Sequence, residues 1–310
     1  MLGRIATVAY NTYRESVRTR LLLALAALAL ATALYAIAVG AFTLKDAPRV
    51  VADLGAASIS AYAVLVAIIV GGTSLYRELE QKTIYPLLAR PIRRGEYLVG
   101  KYLGTVLTLL VFIAFDAAVV LLIVATMAGR SPGLTIPIGL GGAAALALTA
   151  WKAPRMATVL PVPLGLVLVA LGAWLALPAP DEQRVVLGQS FLALLEVGIV
   201  AAIATLFSSF SSPFLSTVFT LSMVVVGRSA DSLARLPAKT FGPTIHRAGE
   251  IMSHLVPNLL VYVPPRPLLT GESATAQLGP HLALATVQAV AWAVGLVALA
   301  SLIFRRRDFL

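Results

Sequence analysis

The chain has 310 residues, 59% of them hydrophobic and 12% charged, with a mean hydropathy of +0.91 and no cysteine. That balance excludes an ordinary soluble domain, and the absence of thiols excludes disulfides, thiolate metal sites and cysteine nucleophiles. A formal charge of +10 would suit nucleic acid, but in so apolar a chain basic residues mark cytoplasmic loops and anionic headgroups, so no nucleic-acid partner is expected.

In chain order, residues 3–19 place Arg4, Asn11, Glu15 and Arg18 on one helical face and Ile5, Ala9, Tyr13 and Val17 on the other. The pattern predicts an amphipathic helix over residues 1–20, lying at the membrane interface. The apolar run 21–43 follows. Ala36-Ile37-Ala38 has the form of a signal-peptidase site, but Glu15 is foreign to a leader and the run continues past the site, so it reads as a first span. Further runs cover 56–76, 97–127, 134–150, 157–177, 187–207, 214–227 and 281–304. None alternates as a barrel strand does, so the spans are helices. The expected fold is an all-α integral membrane protein: a helical transmembrane bundle of eight spans in a single permease domain, 1–310. The 214–227 run is short for a full crossing: it tilts little, extends into Ser229 and Ala230, or is re-entrant. Prolines 132, 137, 154, 161, 163, 178 and 180 bound or kink the fourth and fifth runs and mark 134–177 as an inserted hairpin.

With the N-terminus inside, the inner side carries 15 Lys and Arg and the short outer connections carry four, with five more in the long segment 228–266. The contrast places both termini in the cytoplasm, since long loops count little. It also makes 228–280 an extracytoplasmic segment.

Gly95, Gly100 and Lys101 have the spacing of a phosphate-cradling loop. A working P-loop follows a strand and ends on a hydroxyl that ligates magnesium; here Tyr102 holds that position and Arg93-Arg94 precede the glycines. The chain therefore does not bind ATP through this stretch. The surrounding loop, 77–96, is still the densest polar stretch between two spans. Glu78 and Lys82 sit one turn apart in the favourable order for a short helix, bounded by Pro86 and Pro91. Glu78, Glu80 and Glu96 interleave with the basic residues, a mixture that fixes register on a docked protein.

Arg77-Glu78, Thr83, Leu87-Leu88, Arg90-Pro91, Arg94 and Gly100-Lys101 occur in this order. The loop resembles that of the type-2 permease family of ATP-binding-cassette (ABC) transporters. The amphipathic N-terminal helix is similar to the family's connecting helix, and FRRRDF at 304–309 looks like its usual end. The resemblance covers the first 115 residues well and the chain from Phe191 onward more loosely. It implies an exporter-type subunit of the cytoplasmic (inner) membrane that pairs with a second copy or a sister permease and docks separate ATPase subunits, which hold the ATP and magnesium. The coupling helix around Glu78 to Arg90 would seat in the ATPase, with Arg77, Glu78, Glu80, Thr83, Leu87, Arg90, Pro91, Arg94, Glu96 and Lys101 forming the coupling interface. Such families commonly have six spans, so the 134–177 hairpin is an addition to a six-span core.

Two acids lie inside spans, Asp116 in the third and Glu196 in the sixth. A charge in hydrocarbon must face a cavity, a partner or the bundle interior, so both are candidates for a translocation path. In the outer segment His246, Glu250 and His254 share a helical face, but eight residues rise ~12 Å on a straight helix, too far for the two histidines to ligate one zinc. No metal site is expected, and 263–267, VPPRP, reads as a stiff extended connector. Two further functions stand beside the ABC permease. An ion-coupled secondary transporter would use Asp116 and Glu196, although no internal repeat is visible, and a non-transporting anchor would need only the docking loop. With three histidines and neither HExxH nor GxSxG, no catalytic set is present.

Overall fold

The structure is a computed structural model that describes residues 2–17, 20–43, 46–80, 93–153, 156–234, 247, 249, 251, 256–272 and 277–306. Among these residues the regular structure is entirely helical. In chain order the helices are α1 Leu2–Val17, α2 Arg20–Ala41, α3 Ala47–Glu80, α4 Arg94–Met127, α5 Pro132–Lys152, α6 Pro161–Leu175, α7 Pro180–Ser208, α8 Pro213–Ala234, α9 Arg266–Thr270 and α10 Leu278–Arg306. Short 3₁₀ turns occupy Met156–Thr158 and Leu259–Tyr262.

All eight apolar runs are helical, and six of the helices are long and apolar enough to cross a membrane: α2, α3, α4, α5, α7 and α10. The other two, Pro161–Leu175 and Pro213–Ser229, are shorter. The 15 residues of α6 rise ~22 Å against ~30 Å of hydrocarbon. Its shortness has a local cause: Pro161 fits a helix's first turn, where no donor is needed, and the residues before it close as a 3₁₀ turn instead.

The centre of the bundle is α3, α4 and α7, packed against one another. Without a hydrophobic drive between helices in lipid, such packing depends on close approach, and small residues supply it. A Cβ at Gly55 of α3 would lie 2.4 Å from Val120 of α4, and one at Gly71 would lie 2.6 Å from Ala204 of α7. α2 packs on α3 and α4 and buries Ala29, Ala33 and Ala36, while Leu23, Leu34 and Tyr35 face outward. A hydrogen bond between the Thr32 and Tyr62 hydroxyls, 2.6 Å, fastens α2 to α3.

The α5–α6 hairpin is an outer layer. α6 packs on α4 with Gly172 close to Leu121, whereas α5 buries only Thr135 and Gly142. The hairpin is pinned where Thr126 meets Thr135 at 2.7 Å and Arg130 Nε donates to the Leu175 carbonyl at 3.2 Å.

At the opposite end from α1, residues 256–272 fold over the tips of α3, α7 and α10. Arg266 pairs with Asp53 and with Glu182, the latter at 3.2 Å, Gln189 donates to the Tyr262 carbonyl at 3.0 Å, and the buried Tyr262 hydroxyl donates to the carbonyl of Ala285 at 3.1 Å. Of the expected extended connector 263–267, Val263 closes the 3₁₀ turn, Pro265 is extended and Arg266–Thr270 is helical. His246, Glu250 and His254 lie outside the described residues. α8 runs past residue 227 through Arg228 to Ala234, so Arg228 is a helical residue rather than the first of an outer loop.

Candidate functional site

The end of the bundle that carries α1 is organised around the first turns of α4. Contacts advance together along the two helices: Arg4 faces Glu96 at 4.0 Å, Gly100 would place a Cβ 2.6 Å from Val8, and Gly104 would place one 2.4 Å from the Ala9 carbonyl oxygen. The helices therefore run in the same sense along each other, and the buried face of α1, with Val8, Thr12, Tyr13 and Ser16, is covered by protein. Any side chain larger than hydrogen at Gly100 or Gly104 would push α1 away. Burial pushes the Tyr13 phenol up to about 12, with neighbouring Tyr10 adding to the rise, so it stays neutral within this joint. Tyr10 reaches the hairpin, its hydroxyl 3.1 Å from that of Thr158.

Of the expected coupling residues, Arg77, Glu78 and Glu80 lie on the last turn of α3, and Arg94 opens α4. Thr83, Leu87, Arg90 and Pro91 lie outside the described residues. Glu96 and Lys101 are buried, at 7% and 3% exposure. Glu96 accepts from the Arg93 backbone N–H at 3.4 Å, an N-terminal cap for α4, and faces Arg4. Lys101 lies 5.9 Å from the centroid of the Tyr97 ring. Both side chains are largely covered by the protein's own helices. Tyr97 in turn stacks with the fully buried Phe304 of α10, centroids 6.5 Å apart, so α1, α4 and the end of α10 form one unit at the root of α4.

Within the bundle the two acids are separate. Glu196, on α7, is 0% exposed. Arg228 of α8 donates to it twice, Nε to Oε1 at 2.9 Å and Nη2 to Oε2 at 3.0 Å, and also to Ser60 Oγ of α3 at 3.1 Å. Ser60 donates to Oε2 at 3.2 Å. The fork geometry of a guanidinium on a carboxylate is the strong form of this pair, and it ties three helices at one point. Asp116, on α4, is 6% exposed, and its Oδ2 has no hydrogen-bond partner among the described residues. It lines a cavity of about 170 Å³ between α2 and α4 with Ala26, Ala29, Leu30, Phe112, Phe115 and Val119. No residue of α7 or α8 lines that cavity, so the two acids do not share it.

A family model for ABC-2 family transporter proteins matches residues 6–309, nearly the whole chain. The chain belongs to that family. No curated protein matches it. As an ABC-2 permease it is a multi-pass membrane subunit of an ABC transporter, not itself the catalyst, and membership implies an ABC ATPase as its partner. The match runs through the α5–α6 hairpin, so the hairpin lies inside the family region.

Two features of the permease escape the sequence reading. Gly100, which shares a phosphate-loop spacing with Gly95 and Lys101, also stands with Gly104 in GKYLG at the head of an apolar run, the small-xxx-small pattern of close helix contact. Arg228 directly abuts the apolar run 214–227, and a buried acid in a span calls for a cation, which is the signal for its pairing with Glu196.

Proposed function

We propose that the chain moves a substrate across the cytoplasmic membrane, outward, by transmitting ATP-driven closure of cytoplasmic ATPase subunits through residues 77–94. It would do so as a dimer or with a sister permease, the ATP and magnesium residing in the ATPase and both termini of the permease in the cytoplasm.

The observation that carries the reading is the mechanical frame around that loop. α3 and α4 each contain 34 residues, ~51 Å of helix against ~30 Å of hydrocarbon, so both reach well beyond the membrane. α3 is apolar through Thr73 and continues as helix to Glu80, which lifts Arg77, Glu78 and Glu80 clear of the hydrocarbon. α1 and Phe304 brace the root of α4. A displacement of the loop therefore moves α3 and α4, the core helices, as levers, and this suits a two-state inward/outward transition. Arg77, Glu78, Glu80, Thr83, Leu87, Arg90, Pro91 and Arg94 form the docking face, with Glu96 and Lys101 behind it holding the brace.

On this reading Asp116, which lines a cavity and has an oxygen without a partner among the described residues, belongs to the translocation path. Glu196, neutralised by Arg228, holds the path's wall together. The same pairing weakens an ion-coupled mechanism, which needs Glu196 free to exchange a proton or cation.

The test is purification in mild detergent with identification of accompanying subunits, comparing the parent chain with a Glu78→Arg, Arg90→Glu variant. A P-loop ATPase that accompanies the parent and is lost or uncoupled in the variant is the expected result. An ATPase equally bound and equally stimulated by both proteins would remove the loop from the coupling role.

A further inference from the structure

A groove of about 590 Å³ lies where α1, the start of α4 and the second half of α10 meet. Its walls are apolar, with Val99 on one side and Val290, Val294 and Val297 on the other. From Val290 to Ser301, the lining positions of α10 rise ~16 Å, about half of the ~30 Å hydrocarbon thickness and so the depth of one leaflet. Among the described lining residues the charged ones are Arg93 and Glu96, at the mouth by the start of α4.

The charges at the mouth favour an anion. Glu96 is occupied within the chain, facing Arg4 at 4.0 Å and accepting from the Arg93 backbone N–H at 3.4 Å. The Arg93 side chain is exposed and makes no ion pair among the described residues. An apolar slot one leaflet deep with a guanidinium at its polar end matches a phospholipid: an acyl chain fits the slot and a phosphate meets the guanidinium.

We propose that this groove binds an acidic phospholipid of the leaflet on the side of α1, with one acyl chain against Val290, Val294 and Val297 and the phosphate on Arg93. Because the same groove touches α1 and the root of α4, the lipid forms part of the brace at that root. This assignment stands on the groove and its charge and does not depend on the transport direction or the cargo.

The experiment is native mass spectrometry of the full chain, extracted with its accompanying subunits into mild detergent and equilibrated with equal amounts of phosphatidylglycerol and phosphatidylcholine of identical chains. The parent is expected to retain phosphatidylglycerol over phosphatidylcholine by about fivefold, the scale of one basic residue's attraction to an anionic headgroup. Arg93→Glu should abolish that preference. Val294→Trp, at a groove position that is 64% exposed and so tolerant of size, should lower retention of both lipids while leaving gel-filtration behaviour unchanged. Absence of a headgroup preference in the parent would overturn the assignment, as would a preference that survives Arg93→Glu or unchanged lipid retention in Val294→Trp.

Discussion

Glu196 has both carboxylate oxygens engaged by side chains from two other helices, whereas Asp116 leaves one oxygen without a partner among the described residues, in a crevice of alanine, leucine and phenylalanine. Both are nine-tenths buried or more. The difference teaches that burial alone does not make an intramembrane acid functional. A carboxylate that a guanidinium and a hydroxyl already satisfy gains nothing by releasing them, so it serves as a fastening. One left open beside a cavity retains the capacity to bind.

The contrast can be broken most directly at Arg228. Replacing it with Met strands the Glu196 charge in the interior and is expected to destabilise the chain by about 3–5 kcal/mol, read as a large drop in melting temperature in detergent. The double variant with Glu196→Gln should recover much of that loss, since both charges are then gone. A melting temperature unmoved by Arg228→Met would show that the pair does not fasten the helices.

Gly104→Leu probes whether packing without charge fastens the chain comparably. The added side chain meets the Ala9 backbone and Thr12, and overpacking of this kind is expected to cost about 1–3 kcal/mol and to detach α1 from α4. Proteolysis at the N-terminus should accelerate by comparison with the parent. Equal resistance would show that α1 is seated by something other than the glycine pair.

The smallest effect on stability is expected at Asp116. Asp116→Asn keeps shape and removes charge without stranding a partner, so melting should stay within about 1 kcal/mol of the parent. The coupled ATPase rate should nonetheless change, because the group lies on the proposed path. An unchanged rate together with unchanged melting would reduce Asp116 to a passive polar residue.

Much of the architecture was legible because the bilayer imposes a simple rule: uninterrupted apolar helices with satisfied backbones. The eight runs and their helical character follow from that rule, as does the amphipathic pattern of α1. Helix length was less legible around the prolines: Pro161 and Pro163 start α6 late, and the apolar run 157–177 yields a helix of 15 residues. At the site, the motifs of residues 77–101 were readable as a family resemblance, and the family match agrees with it. The burial of Glu96 was not, because it depends on α1 lying beside it with Arg4 facing the carboxylate, a contact between segments about ninety residues apart in sequence.

By itself, the sequence determined that this is a helical membrane protein with a charged loop between two long spans and acids at positions 116 and 196, since hydropathy and spacing are local properties of the chain. Only the tertiary structure decided which acid is neutralised, which glycines admit a neighbouring helix and where an apolar groove opens beside Arg93. Those outcomes depend on the rotation of each helix about its axis, and that rotation is set by contacts between distant segments, among them Arg228 with Glu196 and Gly104 with Ala9.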